Sequence, residues 1–465
     1  MSTSPGSSTS ALNPAAERDG LHGAERLLAM CALSIGVGMA SLDTAIVNTA
    51  LPGVAASLHA TPAASVWIIN IYQLAMIATM LPFAALGEIV GYRKVCIAGL
   101  MLFTVASLGC AAAWSLPSLV AARLLQGLGA SAVMGVNTAL LRAIYPARQM
   151  GRGMGANALI VAMGFAIGPT AASLILSLAS WPWLFAINVP LGIVGLLLAT
   201  RFLPATRRAA HPFDLQTAVF NACAFGLLVL AIGEGAHAAP APLILAELAG
   251  SSVFFFLLLR RQRGHPAPML PVDLFRRPLF TLSVITAVCT FAAQGLAFVS
   301  LPFYLEHVLG RSPVETGFLI TPWAVMVGVM APIAGRLSDR YPPGLLGGAG
   351  LLALAAGLLS LLLMPAAPSS LAICWRMAVC GLGFGFFKAP NLKAIMSSAP
   401  PDRAGGASGI VATSRLVGQA SGAALVALCF TQAGTHGTSW ALGLGAASAA
   451  LASIASFARL TVQKA

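Results

Sequence analysis

The chain is 465 residues long, 58% hydrophobic and only 8% charged, with a mean hydropathy of +0.88. Soluble domains carry roughly 25% charged residues, so a water-soluble enzyme or binding module is excluded and lipid must be the solvent for most of this surface. The net charge of +13 would suit a nucleic-acid binder only if the basic residues clustered on a soluble face, and they do not.

In chain order, residues 1–25 are polar and rich in Ser, Ala and Gly, with no short apolar core ahead of a cleavage site. They read as a disordered cytoplasmic tail and not as a signal peptide. Apolar runs of about 18 residues or more, long enough to cross a bilayer as helices, follow near 26–50, 66–87, 96–113, 118–140, 155–178, 184–203, 215–235, 241–260, 278–302, 315–335, 345–366, 369–392, 405–431 and 438–460. The expectation is an all-α polytopic membrane protein with fourteen transmembrane helices. With loops alternating sides, 21 of the 26 Lys and Arg residues fall on one side, among them Arg93, Lys94, Arg142, Arg201, Arg260 and Arg277. Arg311 stands alone on the other, and Arg123, Arg376, Lys388 and Arg415 lie inside spans. Basic loops face the cytoplasm, which puts both termini there and makes the positive charge a matter of topology. The lipid bilayer is the expected partner and nucleic acid is not. All eight cysteines fall within spans without metal-ligand spacing, so no metal or cofactor is expected.

The chain also repeats itself. Leu51 and Pro52, closing span 1, recur as Leu301 and Pro302, closing span 9, 250 residues later. Pro82 recurs as Pro332 and Gly168 as Gly418 at the same offset, and Arg123 faces Arg376 at an offset of 253. Pro and Arg are costly inside spans, which argues against compositional coincidence. The organisation expected is a six-helix bundle at 26–203, an inserted helix pair with its loops at 204–277, a second six-helix bundle at 278–460, and a short tail at 461–465. Six plus two is even, so the second bundle enters in the orientation of the first, as a parallel repeat requires.

Several strings resemble a known family. "SLDTAIVNTALP" (Ser41 to Pro52) is similar to the first-helix signature of the fourteen-span drug:proton antiporter family of the major facilitator superfamily. "ALGEIVGYRK" (Ala85 to Lys94) and "GRLSDRY" (Gly335 to Tyr341) resemble the two copies of the superfamily's loop motif. "RLLQGLGASA" from Arg123, "MGFAIGPTAAS" from Met163, "WPWLFAINVPLG" from Trp181, "FDLQT" from Phe213 and "GGASGIVATSRLVGQASG" from Gly405 resemble further blocks in the same order. The chain departs from the pattern at Ala84 and Ala172–Ser173, where glycines are usual, and at Glu88, where Asp is usual. The resemblance implies a multidrug efflux transporter of the bacterial inner membrane that conveys antibiotic resistance by proton antiport. The proton gradient would be its energy source, a small amphipathic molecule its cargo, and a single chain its expected unit.

The residues themselves suggest roles. Asp43 is the only carboxylate deep in the first half, where an ionised acid is expensive. At about 1.5 Å per residue it lies roughly 10 Å, and Arg123 roughly 8 Å, from the outer ends of their spans. That depth permits a pair, read either as the proton-coupling site or as a static anchor. Glu88, Gly91, Arg93 and Lys94 after span 2, with Arg336, Asp339 and Arg340 after span 10, read as a conformational latch or as solvated topology charge. Gly164 and Gly168 at small-xxx-small spacing, with Gly155 and Pro169, invite close approach of another helix. By resemblance these four belong to the antiporter-type fifth helix. Candidate cavity residues are Trp67, Asn70, Tyr72, Gln73, Phe298, Trp323, Arg376 and Arg415. Lys388 reads as a snorkelling cation near the cytoplasmic end of its span, Glu247 as a structural or proton group, and Glu306 and His307 as solvated at the outer mouth. HExxH, GxSxG and Walker motifs are absent, and Gly151-x-Gly153-x-x-Ala156 has no preceding strand, so an enzyme is not expected. A dedicated exporter of one metabolite or antibiotic, or a facilitator independent of protons, remains the rival reading.

Overall fold

The computed structural model describes residues 20–146, 149–206, 213–236, 240–262, 272–365, 367–399 and 404–462. Most of the tail at 1–25 and the last three residues of 461–465 lie outside that description. Among the described residues every regular element is helical. The first stretch holds α1 (Gly23–Ser57), the single turn α2 (Pro62–Ser65), α3 (Trp67–Val90), α4 (Tyr92–Ala111), α5 (Leu116–Ile144), α6 (Met150–Leu178), the single turn α7 (Trp183–Ala186) and α8 (Asn188–Phe202). A hairpin of α9 (Leu215–Ala236) and α10 (Ala241–Gln262) follows, then α11 (Pro278–Phe303), α12 (Pro313–Leu337), α13 (Pro343–Leu362), α14 (Ser370–Ser398), α15 (Ala404–Ala433) and α16 (Gly437–Val462). Among the described residues thirteen helices are long and apolar enough to cross a membrane, while α9 offers a shorter apolar stretch, Leu215–Ala231.

Helix ends follow from local chemistry. At the face away from the arginine-rich loops, Ser115 with Ser118 and Ser312 with Glu315 form capping boxes, and Ser369 accepts from the N–H of Ala372. At the arginine-rich face Gly91 joins α3 to α4 with φ of 106°, a region closed to side chains with a Cβ, and its N–H donates to Gly87 O at 3.0 Å. Proline inside a helix leaves the carbonyl four residues earlier without its donor. Pro82 does this to Ala78, and Asn221 of α9 donates to that carbonyl at 3.0 Å, so the inserted hairpin is fastened to α3 through a proline defect.

Packing falls into clusters. One joins α1, α3, α4, α5 and α8 with residues of α9 and α15, and a second joins α11 to α14 with α16. A third, at the face opposite the arginines, mixes Leu51, Val54 and Ile68 of the early helices with Val299, Phe303 and Val426 of the late ones. There the two sets of helices close against each other. On the same side α6 meets α12, where Thr170 and Thr321 hydroxyls lie 2.8 Å apart and Gly317 leaves room for Ser173.

Candidate transport site

Asp43 lies on α1 among buried apolar neighbours one turn away, Met39, Ala40, Ile46 and Val47. The hydroxyls of Ser41 and Thr44 return to the carbonyls four residues back, at 2.9 and 3.0 Å, so they leave the carboxylate to other helices. Those helices are α5 and α8. Arg123 Nη1 donates to Asp43 Oδ2 at 2.5 Å; Gln126 Nε2 and Asn188 Nδ2 donate to Oδ1 at 2.9 and 3.2 Å. Arg123 also donates to Gln126 Oε1 at 2.7 Å and, through Nε, to the carbonyl of Ile68 at 3.1 Å. Its guanidinium stacks 4.1 Å from the centroid of Tyr72. Asp43 and Arg123 are each 1% exposed. A buried charge survives only when paired and hydrogen-bonded, and here the carboxylate receives three donors from two helices. Taking a proton would neutralise the acceptor on which all three converge.

A second feature is a cleft lined by side chains of α6, α11, α12, α14 and α15. Of the candidate cavity residues, Phe298, Trp323 and Arg415 line it. Phe298 and Trp323 meet edge to face at 5.0 Å, as do Phe291 and Phe384 at 5.5 Å. Lys388 lines it too, which corrects the snorkelling expectation. The reason is length: α14 runs to Ser398, so Lys388 sits more than two turns inside the helix.

The remaining candidates lie elsewhere. Arg376 lies over the Trp375 ring at 4.4 Å and donates to the carbonyls of Ser360 and Ala372 at 2.9 and 2.8 Å, so it ties α14 to α13 and does not line the cleft. Trp67 packs against Gly233 of α9. Asn70 is fully buried with both amide atoms unpartnered among the described residues, and the Gln73 carbonyl is likewise unpartnered. Tyr72 belongs to the Arg123 network and to the core it shares with Leu416 and Ala420 of α15. It thereby connects the acid site to the helix that carries Arg415. Glu306 is half-buried with Oε1 unpartnered, because a π-turn at Tyr304–Val308 extends α11; only His307 is exposed as expected.

The loop motifs and α6 divide similarly. Arg93 donates to the carbonyl of Thr200 on α8, and Asp339 pairs with Lys393 of α14 at 2.6 Å. Both partners belong to the motif's own half of the chain. Glu88, Lys94, Arg336, Asp339 and Arg340 are exposed. On α6, a Cβ at Gly164 would come within 2.8 Å of that of Ser41, and one at Gly168 would collide with Ala45, so these glycines set the α1–α6 contact. Pro169 is buried beside it. Gly155 has open space around it and is exposed, which corrects the idea that it admits a neighbouring helix.

Sequence reasoning missed Gln126 and Asn188, although "QGLG" and "INVP" were in view, because which amides face an acid depends on helix rotation. It also missed Arg459. Counted as a loop charge, it is fully buried on α16, donating to Ser283 Oγ at 3.1 Å, Asn391 Oδ1 at 2.8 Å and both oxygens of Ser456.

A bilayer-spanning helical protein with a buried acid–arginine pair and a central cleft is a transporter in form. The sequence profile of the Major Facilitator Superfamily matches residues 33–423, and the chain belongs to that superfamily of transporters. It is 53% identical over 450 residues to the uncharacterized transporter YebQ of Escherichia coli strain K12, covering 96% of this chain and 98% of that one. It is 30% identical to the riboflavin transporter RibZ of Clostridioides difficile, over 89% of this chain and 90% of that one. To the multidrug resistance protein Stp of Mycobacterium tuberculosis strain CDC 1551 / Oshkosh it is 31% identical, over 86% and 75%. A crystal structure of a bacterial homologue of the human lysosomal transporter Spinster, inward-facing and unoccupied, shares the fold with a TM-score of 0.69 at 13% identity, covering 95% of this chain and 98% of that one.

Proposed function

We propose that this protein is a fourteen-span proton antiporter that exports small amphipathic organic molecules across the bacterial inner membrane by alternating access. In this reading α9 spans with the other thirteen helices, the arginine-rich face and both termini are cytoplasmic, and two six-helix bundles at 26–203 and 278–460 rock about the site. The observation that carries it is the Asp43–Arg123 pair, buried, hydrogen-bonded from α5 and α8, and stacked through Tyr72 toward α15. Protonation of Asp43 removes the charge that holds Arg123. The freed guanidinium changes what Tyr72 and the Ile68 carbonyl feel, and the α3–α15 contact then favours one access state over the other. Cargo and proton need never meet, since each shifts the same equilibrium. Glu88, Gly91, Arg93, Lys94, Arg336, Asp339 and Arg340 form the latch that sets the resting state. The multidrug resistance relatives support an export role, and the proton gradient suffices as energy source for a single chain with no cofactor.

The test is efflux of a panel of anionic, neutral and cationic amphipathic dyes from intact cells, with and without a protonophore. Wild type should export at least one against its gradient and stop when the protonophore is added. Asp43→Asn should reach the membrane at normal levels and lose uphill export; uphill export by this variant would end the antiport assignment. The relative named a riboflavin transporter favours a second reading, transport of one metabolite, which would show as movement of a single compound. Transport indifferent to the protonophore would identify a facilitator.

A further inference from the structure

We propose that the central cleft selects amphipathic organic anions, aromatic carboxylates in particular, by holding the acidic group on Lys388 and Arg415. This rests on the reading of the chain as a transporter that loads cargo in this cleft, but not on the proton step. Each buried arginine outside the cleft has acceptors: Arg123 has Asp43, and Arg459 has Ser283, Asn391 and Ser456. The two cations inside it differ. Lys388 and Arg415 line the cleft half-buried, and neither makes a hydrogen bond or ion pair with a described residue. No Asp or Glu is among the lining residues.

A third donor points the same way. The indole N–H of Trp323, a side chain 1% exposed and part of the lining, has no acceptor among the described residues. An ammonium, a guanidinium and an indole N–H are all donors without acceptor capacity. The ligand group that satisfies them together is acceptor-only and negatively charged, and such charge-assisted hydrogen bonds are the strong ones. A cationic ligand would instead bring a further positive charge beside two cations with no acid in the lining to compensate it. The other lining side chains fix the body of the ligand. Phe291, Phe298, Phe384 and Trp323 present ring faces and edges suited to a flat apolar group.

Equilibrium binding to the purified full chain in phosphatidylcholine nanodiscs tests this without any gradient. The probes are 1-naphthoate, the neutral 1-naphthamide and the cationic 1-naphthylmethylammonium. Naphthoate should bind at least about 10-fold more tightly than the other two. Lys388→Gln and Arg415→Gln should each weaken naphthoate by about 10-fold while leaving naphthamide unchanged, which also reports correct folding. Should a Gln variant fail to fold, Lys388→Arg and Arg415→Lys keep the charge and should retain the preference for naphthoate. A cation that binds as well as naphthoate, or Gln variants that bind both naphthalenes as wild type does, would overturn the proposal. An anionic lipid headgroup carries the same charge, so nanodiscs containing phosphatidylglycerol form a second arm, and displacement of naphthoate by that lipid would also overturn it. The preference for naphthoate over naphthamide should persist in Asp43→Asn, because Lys388 and Arg415 are untouched and a shift in access state acts on both affinities alike. Uphill export by Asp43→Asn with that preference intact would thus sink only the antiport reading.

Discussion

The two repeat-related arginines have opposite surroundings. Arg123 is buried, pairs with Asp43 and shares Gln126 with it, whereas Arg376 is half-buried, stacks on Trp375 and caps two backbone carbonyls. At the repeat offset of 250, the position matching Asp43 holds Ala293, fully buried and apolar. The scaffold of prolines and glycines has been kept in both halves while the acid has been kept in one. The uncompensated cations of the late helices, Lys388 and Arg415, face the cleft from positions unrelated to Arg123. One half thus holds a closed charge pair, and the other two uncompensated cations that face the cleft.

The sharpest way to break this comparison is to delete each arginine in turn. Arg123→Leu leaves a carboxylate in the core with only Gln126 and Asn188 as donors, and removing one partner of a buried pair costs about 3–5 kcal/mol. Arg376→Leu removes interhelical hydrogen bonds to carbonyls at a wetter position and should cost about 1 kcal/mol. Thermal unfolding of both variants in nanodiscs checks the difference. Equal losses would show that the two arginines do the same structural job despite their different partners.

A smaller effect tests whether the inserted hairpin is attached as the geometry indicates. Asn221→Leu removes the donor to the Ala78 carbonyl and should cost about 0.5–2 kcal/mol, the range for interhelical hydrogen bonds in membranes. Pro82→Ala returns an N–H to that carbonyl within α3. In the Pro82→Ala background the Asn221→Leu penalty should therefore shrink, and a double-mutant cycle on unfolding temperature reads the coupling. An unchanged penalty would mean that Asn221 acts by packing alone.

Much of this architecture was legible because bilayer thickness forces long apolar runs and polar caps. The runs near 118–140 and 369–392 became α5 and α14, and serines just before α5 and α14 mark their starts. The Asp43–Arg123 pair was legible because depth along a helix can be counted from its end. Rotation about the helix axis cannot be counted, so Gln126 and Asn188 went unseen and Arg376 was expected in the cleft. Lys388 and Arg459 were misread for different reasons: α14 continues several residues past the apolar run that ends near 392, and around Arg459 the polar groups of Ser283 and Asn391 replace the water a loop charge would have needed. Gly155 shows the limit of spacing arguments, since a small residue permits close approach but does not bring a partner.

The smallest expected effect lies where the hairpin meets water. The "FDLQT" string places Asp214 just ahead of α9, where its carboxylate accepts from the N–H and hydroxyl of Thr217 at 3.1 and 2.6 Å and from Arg261 of α10 at 3.0 Å. It therefore caps α9 and pins the far end of α10 in one contact. Partial burial alone would raise its carboxyl, but the hydrogen bonds from Arg261 and Thr217 prevail and hold it down at about 2. Because the folded value lies below the unfolded value of 3.8, the stabilisation is complete above that value and disappears as pH falls through about 2. The pair is largely exposed, with side chains 43% and 27% accessible, so solvent screening limits the contribution to under about 1 kcal/mol. Arg261→Ala should move the carboxyl upward and make the hairpin's acid sensitivity begin at higher pH, seen as earlier amide exchange in α9. An acid transition identical in both proteins would mean that Thr217 alone sets the cap, and that α10 is held to α9 by its apolar face and by the Ser251 hydroxyl on the Ala224 carbonyl.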